Sequence, residues 1–340
     1  MEEGNLQELS EVIQSSNINF LFGAGTSTPF LPLLGNIEKQ LNEAKDETER
    51  EKQYKEYFSK VMLPNKKALD KSFSTDEYEQ TKKNYDDFFL ALSEVILQRK
   101  STILSKQVNL FTTNIDVLME TSLERLLIEY NDGFSGKFNP TFSSAHFKKS
   151  IQQRSLHFDH ISEIPVFNII KIHGSVTWQL SDNKITFAHS LNHIEESTTS
   201  KTGKDFLEPY KKILVVNPEE SKHLESVLNL YYYELLRMYS SELEKENATL
   251  FIVGFSMDDK HIKEITLRAA KANPTLRIFV CCSQGSKGKM QTKLEVVQHP
   301  NIQILTPNTE EEKFTLDCFS KFILRKVVEK KSNKNDEPEK

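Results

Sequence analysis

Four short segments, each placed directly after an apolar, β-prone run, most constrain how this sequence can fold. They combine glycines with small polar side chains and span Gly23–Ser27, Thr112–Asp116, Lys171–Ser175 and Val253–Asp258. Apolar runs that end in polar turns are typical of parallel strands, whose carboxyl ends bind ligands. Helical patterns separate these runs. The sequence therefore predicts an α/β fold with a Rossmann-like, doubly wound parallel sheet.

The individual elements follow from the hydrophobic periodicity. Strands are predicted at residues 18–22, 108–111, 166–172, 212–216, 249–253, 276–281 and 302–305. Helices are predicted at residues 5–15, 117–130, 224–243 and 259–271, the second with Leu118, Leu123, Leu126 and Leu127 on its buried face.

We expect one domain over residues 1–326. It would contain a helical insertion at about residues 40–105 and a polar flap at about residues 180–210. Residues 327–340 are dominated by Lys, Glu, Asn and Asp, so we expect a disordered, charged tail there.

Composition excludes several classes of protein. The formal net charge of −5 gives no reason to expect direct nucleic-acid binding. Three cysteines, Cys281, Cys282 and Cys318, are too few for a four-cysteine zinc site, so no zinc or other metal is expected. No apolar run approaches the roughly 20 residues of a membrane span. The expectation is a soluble, cytoplasmic protein without a membrane anchor.

The turn Gly23-Ala24-Gly25-Thr26-Ser27 is the first candidate binding element. Its glycines allow backbone N–H groups to approach a phosphate closely, and its two hydroxyls suit a phosphate or a helix cap. The full GxGxxG fingerprint is absent, because Pro29 and Phe30 stand where a third glycine is expected. A simple strand-to-helix turn explains the segment equally well.

The segment Thr112–Asp116 places polar side chains where a core would need apolar ones. Asn114 both donates and accepts hydrogen bonds, which suits it to hold a ribose hydroxyl and an attacking water. Thr113 is a further candidate contact, and Asp116 is suited to accept from a ribose or to orient Asn114. In the alternative reading, Asp116 caps the next helix and Asn114 is a turn residue.

His173 is the strongest single catalytic candidate. A strand of largely apolar residues delivers it, and Gly174 leaves open space beside it. Histidine titrates near neutral pH and acts as a general base or orients a hydroxyl. A lone histidine is more often structural, so this residue does not establish catalysis alone.

Two later turns supply further candidate contacts. Gly254 and Ser256 suit close backbone passage and hydrogen bonding to a nucleotide, although a turn capped by Asp258 or Asp259 explains the same residues. Asn217 follows the predicted strand at 212–216 and is a candidate contact on the ribose side.

Taken together and in this order, the four segments resemble the sirtuin family, which carries a GAG turn, a T-x-N-x-D segment, a catalytic HG and a later glycine-serine turn. The resemblance implies NAD as the bound nucleotide. It further implies that the NAD phosphates contact Gly23, Ala24, Gly25 and Thr26, and that the nicotinamide ribose contacts Asn114 and Asp116. His173 would be the catalytic histidine, and Gly254 and Ser256 would contact the adenosine side.

The departures from the family pattern matter as well. Deacylase sirtuins usually carry a four-cysteine zinc module after the HG pair, whereas this chain looks like the bacterial sirtuin-like NAD hydrolases of anti-phage defence. That resemblance implies an NAD+ glycohydrolase with NAD+ as its substrate, and a possible HerA-like ATPase partner. We also expect a homo-oligomer. An NAD-dependent protein deacylase and a non-catalytic sensor of NAD or ADP-ribose remain alternatives.

Overall fold

The computed structural model describes residues 3–33, 44, 46–70, 72–99, 104–155, 161–192, 194–195, 201–211, 213, 215, 226–307 and 314–329. The strands in this part of the chain are β1 (Asn17–Phe22), β2 (Gln107–Thr112), β3 (Tyr130–Asn131), β4 (Phe134–Ser135), β5 (Thr141–Phe142), β6 (Gln152–Arg154), β7 (Ile161–Glu163), β8 (Val166–Lys171), β9 (Trp178–Ser181), β10 (Lys184–Phe187), β11 (Ala248–Val253), β12 (Arg277–Cys281) and β13 (Ile302–Leu305).

The α-helices in the same residues are α1 (Glu3–Ser15), α2 (Glu47–Tyr57), α3 (Leu63–Ala68), α4 (Asp76–Leu97), α5 (Leu118–Leu126), α6 (Lys204–Lys211), α7 (Ser226–Leu243), α8 (Lys260–Ala272), α9 (Lys287–Lys293) and α10 (Leu316–Phe319). Among these helices, none combines the length and apolar character that a membrane span requires.

A seven-stranded sheet in the order β13-β12-β11-β1-β2-β8-β3 forms the centre of the molecule. Every neighbouring pair in it is parallel. The chain moves from β1 toward one edge and later returns to β11 on the other side of β1. The doubly wound prediction is confirmed, and the switch point lies between β1 and β11.

Separate apolar layers cover the two faces of this sheet. On one face lie α1, α4, α5 and α10, where the Phe20 ring packs against Phe88 at 5.3 Å and Phe319 at 5.5 Å between centroids. On the other face lie α7 and α8, where Phe111 packs against Tyr239 at 5.0 Å. Parallel strands buried on both faces read as continuous apolar runs, which is why the sequence identified them.

A third apolar cluster lies outside the sheet and joins segments that are distant in sequence. Phe58, which follows α2, contacts Phe206 of α6, and Tyr54 contacts Tyr210, at centroid distances of 6.2 and 4.9 Å. The same cluster contains Ile115, Val117, Val176 and Val215. The first helices of the predicted insertion therefore pack with the end of the predicted flap, whereas α4 packs on the sheet itself.

A second, antiparallel sheet of order β4-β5-β10-β9 combines two strands that precede the HG segment with two that follow it. Aromatic rings form its core. The ring centroid of Trp178 lies 4.7 Å from that of Phe142 and 6.1 Å from that of Phe134, and the Phe134 and Phe187 centroids are 5.3 Å apart. Packing of these aromatic rings therefore stabilises the second sheet.

Three boundaries differ from the sequence prediction. The helix predicted at 117–130 ends at Leu126, and Leu127 takes a left-handed conformation with 92% of its surface exposed, because the chain reverses there toward β3. Of the strand predicted at 212–216, the described residues form only a bridge between Val215 and Gly174. The final helical segment continues to Glu329 and buries Val327, while residues 330–340 lie outside the described residues.

The turns after β1 and β11 touch through their backbones. Gly25 N–H donates to the Gly254 carbonyl at 2.9 Å, and Gly23 N–H donates to Val253 O at 3.2 Å. A Cβ built on Gly254 would lie 2.6 Å from Thr26 N, and one on Gly25 would lie 2.7 Å from Gly254 Cα. Gly254 also has a φ of +65°, a backbone conformation that residues with a side chain rarely adopt.

We expect Gly254→Ala to lower the free energy of unfolding by at least about 2 kcal/mol, because a left-handed conformation is added to a backbone clash. Gly285→Ala is the matched control, since nothing lies within 4 Å of its added Cβ. It should change stability by less than about 0.5 kcal/mol. Urea unfolding measures both, and equal stabilities would contradict the packing described.

Candidate active site

Four neighbouring strands end at the same level and set the predicted segments side by side. In register, Phe22 of β1 pairs with Thr112 of β2 and Val253 of β11, and Thr112 pairs with Lys171 of β8. The residues that follow are the predicted segments, gathered at the carboxyl edge of the sheet near the switch point. Asn217 lies outside the described residues.

The side-chain amide of Asn114 is buried at this edge, and its orientation is fixed. Nδ2 lies 3.0 Å from the Gly23 carbonyl oxygen, 3.1 Å from Thr26 Oγ1 and 3.0 Å from Ser27 Oγ. Because a carbonyl only accepts, the atom that faces Gly23 must be the amide nitrogen. Within the described part of the chain nothing donates to Asn114 Oδ1, so this oxygen is available to a ligand.

Asp116 is almost completely buried and accepts hydrogen bonds that stabilise this network. Its Oδ2 accepts from Ser27 Oγ at 2.6 Å, and its Oδ1 accepts from Leu118 N–H at 3.1 Å. Of the roles considered from the sequence, the contacts combine two: Asp116 satisfies an N–H at the start of α5 and orients Asn114 through Ser27.

Tyr85 of α4 is a member of this network that the sequence did not reveal. Its hydroxyl donates to Thr26 Oγ1 at 3.0 Å and lies 3.4 Å from Ser27 Oγ. Thr26 in turn donates to the Gly23 carbonyl at 2.9 Å. Complete burial raises the pKa of Tyr85, so the phenol stays protonated and remains a donor.

A buried ion pair lies beside the Asn114 loop and was also not predicted. Lys171 Nζ is 3.0 Å from Glu120 Oε1 and also donates to the backbone carbonyl of Asp116. Burial raises the pKa of Glu120, and the charge of Lys171 opposes that effect. The lysine therefore ties the end of β8 to the loop that carries Asn114.

His173 is half-buried and pairs with a carboxylate from the far side of the sheet edge. Its Nε2 lies 3.1 Å from Asp259 Oδ2. Burial raises the pKa of Asp259, but the hydrogen bond with His173 and its charge outweigh this effect, so the pKa lies below its usual value. The sequence identified Asp259 only as a possible helix cap; a partner 86 residues away leaves no signal in local spacing.

The hydroxyls of the first turn serve the protein interior. Thr26 and Ser27 are each 2% exposed and bond within the network described above. The N–H groups of Gly23, Gly25 and Thr26 are bonded to backbone carbonyls as well. Ala24 is the exposed residue of the turn. The N–H groups of Gly23, Gly25 and Thr26 are therefore not available to a phosphate, and Ala24 remains the candidate phosphate contact of this turn.

The other predicted contacts lie around the rim of this edge. Thr113 is half-buried, and its N–H donates to Phe22 O at 3.2 Å. Gly254 touches the first turn, as described above. Ser256 is exposed, and its carbonyl accepts from Lys293 Nζ at 2.9 Å.

Within the described residues, no cluster of three or more His, Cys, Asp or Glu side chains is arranged to hold a metal. The three cysteines are free and buried. Cys281 and Cys318 pack on one face of the sheet and Cys282 on the other. Burial raises the pKa of the Cys281 thiol, which keeps it protonated.

Comparison with known proteins finds a matching family model and similar solved structures. Residues 108–305 match the model of a family described as the SIR2-like domain. Two solved structures are similar over 98% of this chain: one described as a structural basis for the mechanism and regulation of Sir2 enzymes, the other a Sir2 mutant with a p53 peptide and NAD. They are covered over 100% and 99% of their chains, each at 14% identity, with TM-scores of 0.45 and 0.46.

No curated protein matches this chain. The family model covers more than half of the sequence, including the segments that carry Asn114, His173 and Gly254. The chain therefore belongs to the SIR2-like domain family.

Proposed function

We propose that this chain is an NAD+ hydrolase, which cleaves the N-glycosidic bond between nicotinamide and ribose to give ADP-ribose and nicotinamide. The observation that carries the proposal is the geometry of Asn114. Its amide nitrogen is used by the protein, while none of the described residues donates to its amide oxygen at the sheet edge. Such an oxygen accepts a hydrogen bond from a ribose hydroxyl or a water without moving.

The reaction needs a cavity that tolerates positive charge at the ribose. As the C1′–N bond breaks, its electron pair passes to the cationic nicotinamide nitrogen, which becomes neutral. The ribose carbon C1′ then carries the positive charge, which a carbonyl-type oxygen such as Asn114 Oδ1 stabilises. The buried carboxylate of Asp116, 2.6 Å from Ser27 Oγ, adds negative charge behind it.

Water completes the reaction at C1′. Its oxygen forms the new bond, and its proton passes to a base, so NAD+ and water yield ADP-ribose, nicotinamide and one proton. We assign the base role to His173. It follows Lys171 by two residues, as Asn114 follows Thr112 by two, and Thr112 and Lys171 are paired in adjacent strands. Asn114 and His173 therefore follow paired positions at the same end of two adjacent strands.

Binding of the remainder of NAD+ is assigned to the crevice at the switch point. Ala24 contributes the available N–H of the first turn to the phosphates, and Gly25 and Gly254 hold that turn in place. Thr113 and Asn217 are assigned to the ribose, and Ser256 to the adenosine side of the nucleotide. A dinucleotide across the switch point is the usual ligand of such sheets.

The region after His173 favours a hydrolase over a deacylase. In deacylase sirtuins this position usually carries a four-cysteine zinc module, whereas here it carries β9 and β10, whose sheet is built on aromatic rings. The resemblance to bacterial defence proteins extends the proposal. We assign this chain to the depletion of cellular NAD during phage infection, as a homo-oligomer with a HerA-like ATPase as a possible partner.

One experiment separates the functions considered. Purified chain is incubated with NAD+ and nicotinamide is quantified, with and without an acetyl-lysine peptide, and with and without a candidate HerA-like ATPase partner. Release without peptide is expected. Release only with peptide would indicate a deacylase. Stabilisation by NAD+ or ADP-ribose without release under any condition would indicate a sensor.

We expect Asn114→Ala and His173→Ala each to lower kcat for nicotinamide release at least about 100-fold, because each removes a positioned polar group. Asn301→Ala is the control. Its amide also bonds to buried backbone carbonyls, but at the opposite end of the sheet. That variant should lose stability and keep its turnover. Unchanged turnover by Asn114→Ala would contradict the assignment.

The Tyr85 hydroxyl gives a finer test. Tyr85→Phe and Tyr239→Phe each remove one hydroxyl from a fully buried tyrosine, the latter bonded to Thr266 Oγ1 at 2.8 Å on the other face. Each should cost about 1 kcal/mol of stability. Only Tyr85→Phe should also lower kcat, by about 10-fold, because Thr26 then loses a donor and holds Asn114 less firmly. Equal kinetics of the two variants would refute this role.

A further inference from the structure

We propose that Asp259 is a positioning residue for His173, selecting the ring nitrogen that takes up the proton. This inference rests on the proposed function, since it assigns a role within the same reaction. It starts from the contact of 3.1 Å between His173 Nε2 and Asp259 Oδ2. The sequence and the family match leave Asp259 without a functional role.

The contact requires the chain to bridge the sheet edge. Asp259 follows β11 and His173 follows β8, and these strands are separated by β1 and β2. Three strand spacings amount to about 14 Å. The two loops therefore converge over the ends of β1 and β2, where Gly23 and Thr113 begin their segments. Because β8 and β11 are not neighbours in the sheet, the contact between His173 and Asp259 does not follow from strand pairing.

Asp259 is itself rigidly held. It is the N-cap of α8, and its Oδ1 accepts from Ile262 N–H at 3.0 Å while Oδ2 faces His173. The helix thus fixes Oδ1, and because both oxygens belong to one planar carboxylate, the position of Oδ2 is fixed as well. Because the pKa of Asp259 lies below its usual value, the group is ionised at neutral pH and acts only as an acceptor.

An acceptor at Nε2 determines the tautomer of the neutral imidazole. The proton must reside on Nε2 to donate to Asp259, so Nδ1 carries the lone pair and is the nitrogen that accepts a proton from water. Tyr232 of α7 lies beside the pair, with its ring centroid 6.2 Å from that of His173. Burial and the charge of Asp259 raise the pKa of Tyr232, so its phenol stays protonated and does not compete as an anion for His173.

Asparagine at position 259 separates the two roles of this carboxylate. Asn and Asp cap helices equally well, and the cap needs the side-chain oxygen at Ile262 N–H. The amide NH2 must then face His173 and donate to Nε2, which moves the imidazole proton to Nδ1. Asp259→Asn therefore preserves α8 and reverses the tautomer.

We expect Asp259→Asn to lower kcat for nicotinamide release about 100-fold, the lower range for loss of a general base, with KM for NAD+ within about two-fold. Its Tm should stay within about 2 °C of the parent chain. Asp46→Asn is the matched control, because Asp46 caps α2 through Glu49 N–H at 2.8 Å. It should leave kcat, KM and Tm unchanged.

Two further measurements make the outcome decisive. In a His173→Ala background, Asp259→Asn should cause no additional loss of kcat, since the carboxylate acts through the histidine. Imidazole 15N shifts of the substrate-free chain should report protonated Nε2 in the parent and protonated Nδ1 in Asp259→Asn.

An unchanged kcat in Asp259→Asn, additive losses in the double variant, or an unchanged tautomer would each overturn the positioning role. The NMR measurement needs no substrate. A chain that releases no nicotinamide under any condition would therefore refute the hydrolase, while the 15N shifts still decide whether Asp259 sets the tautomer.

Discussion

The backbone contact between the turns after β1 and β11 is the constraint on which the rest of the site depends. Gly25 N–H and the Gly254 carbonyl meet at 2.9 Å, with no room for a Cβ atom on either glycine. This approach closes the sheet at its switch point and turns Thr26 and Ser27 inward. Once they point inward, both hydroxyls become partners for Asn114 rather than for solvent.

Satisfaction of buried polar groups then decides the rest of the arrangement. Thr26 Oγ1 accepts from Tyr85 and Asn114 and donates to Gly23 O, so its hydrogen-bonding capacity is filled. Ser27 Oγ donates its hydrogen bond to Asp116 Oδ2. An unpaired hydroxyl at this depth would cost about 1–3 kcal/mol, so the network has few alternatives to the observed orientation of Asn114. The fixed orientation of the Asn114 amide is therefore a consequence of folding.

Local pattern predicted what local physics determines. The strands around Phe20, Phe111 and Phe251 are apolar on both faces, so they were visible in the sequence, as was the placement of Asn114 and His173 at strand ends. Long-range partners were not visible. Tyr85 sits on an amphipathic helix, where a buried tyrosine looks like any core residue, and Asp259 looks like any helix cap. The fate of Thr26 and Ser27 depended on the packing of two glycine turns distant in sequence.

The third apolar cluster gives the carboxyl edge of the sheet two walls of different stiffness. The inner wall, formed by strand ends, is anchored in the cores of the sheet. The outer wall includes Ile115 and Val176, which pack with Phe58, Phe206 and Val215 in a smaller cluster apart from the sheet. Small clusters open at lower free energy than central sheets. The segments of this smaller cluster can therefore loosen while the hydrogen-bonded frame of Asn114 stays closed.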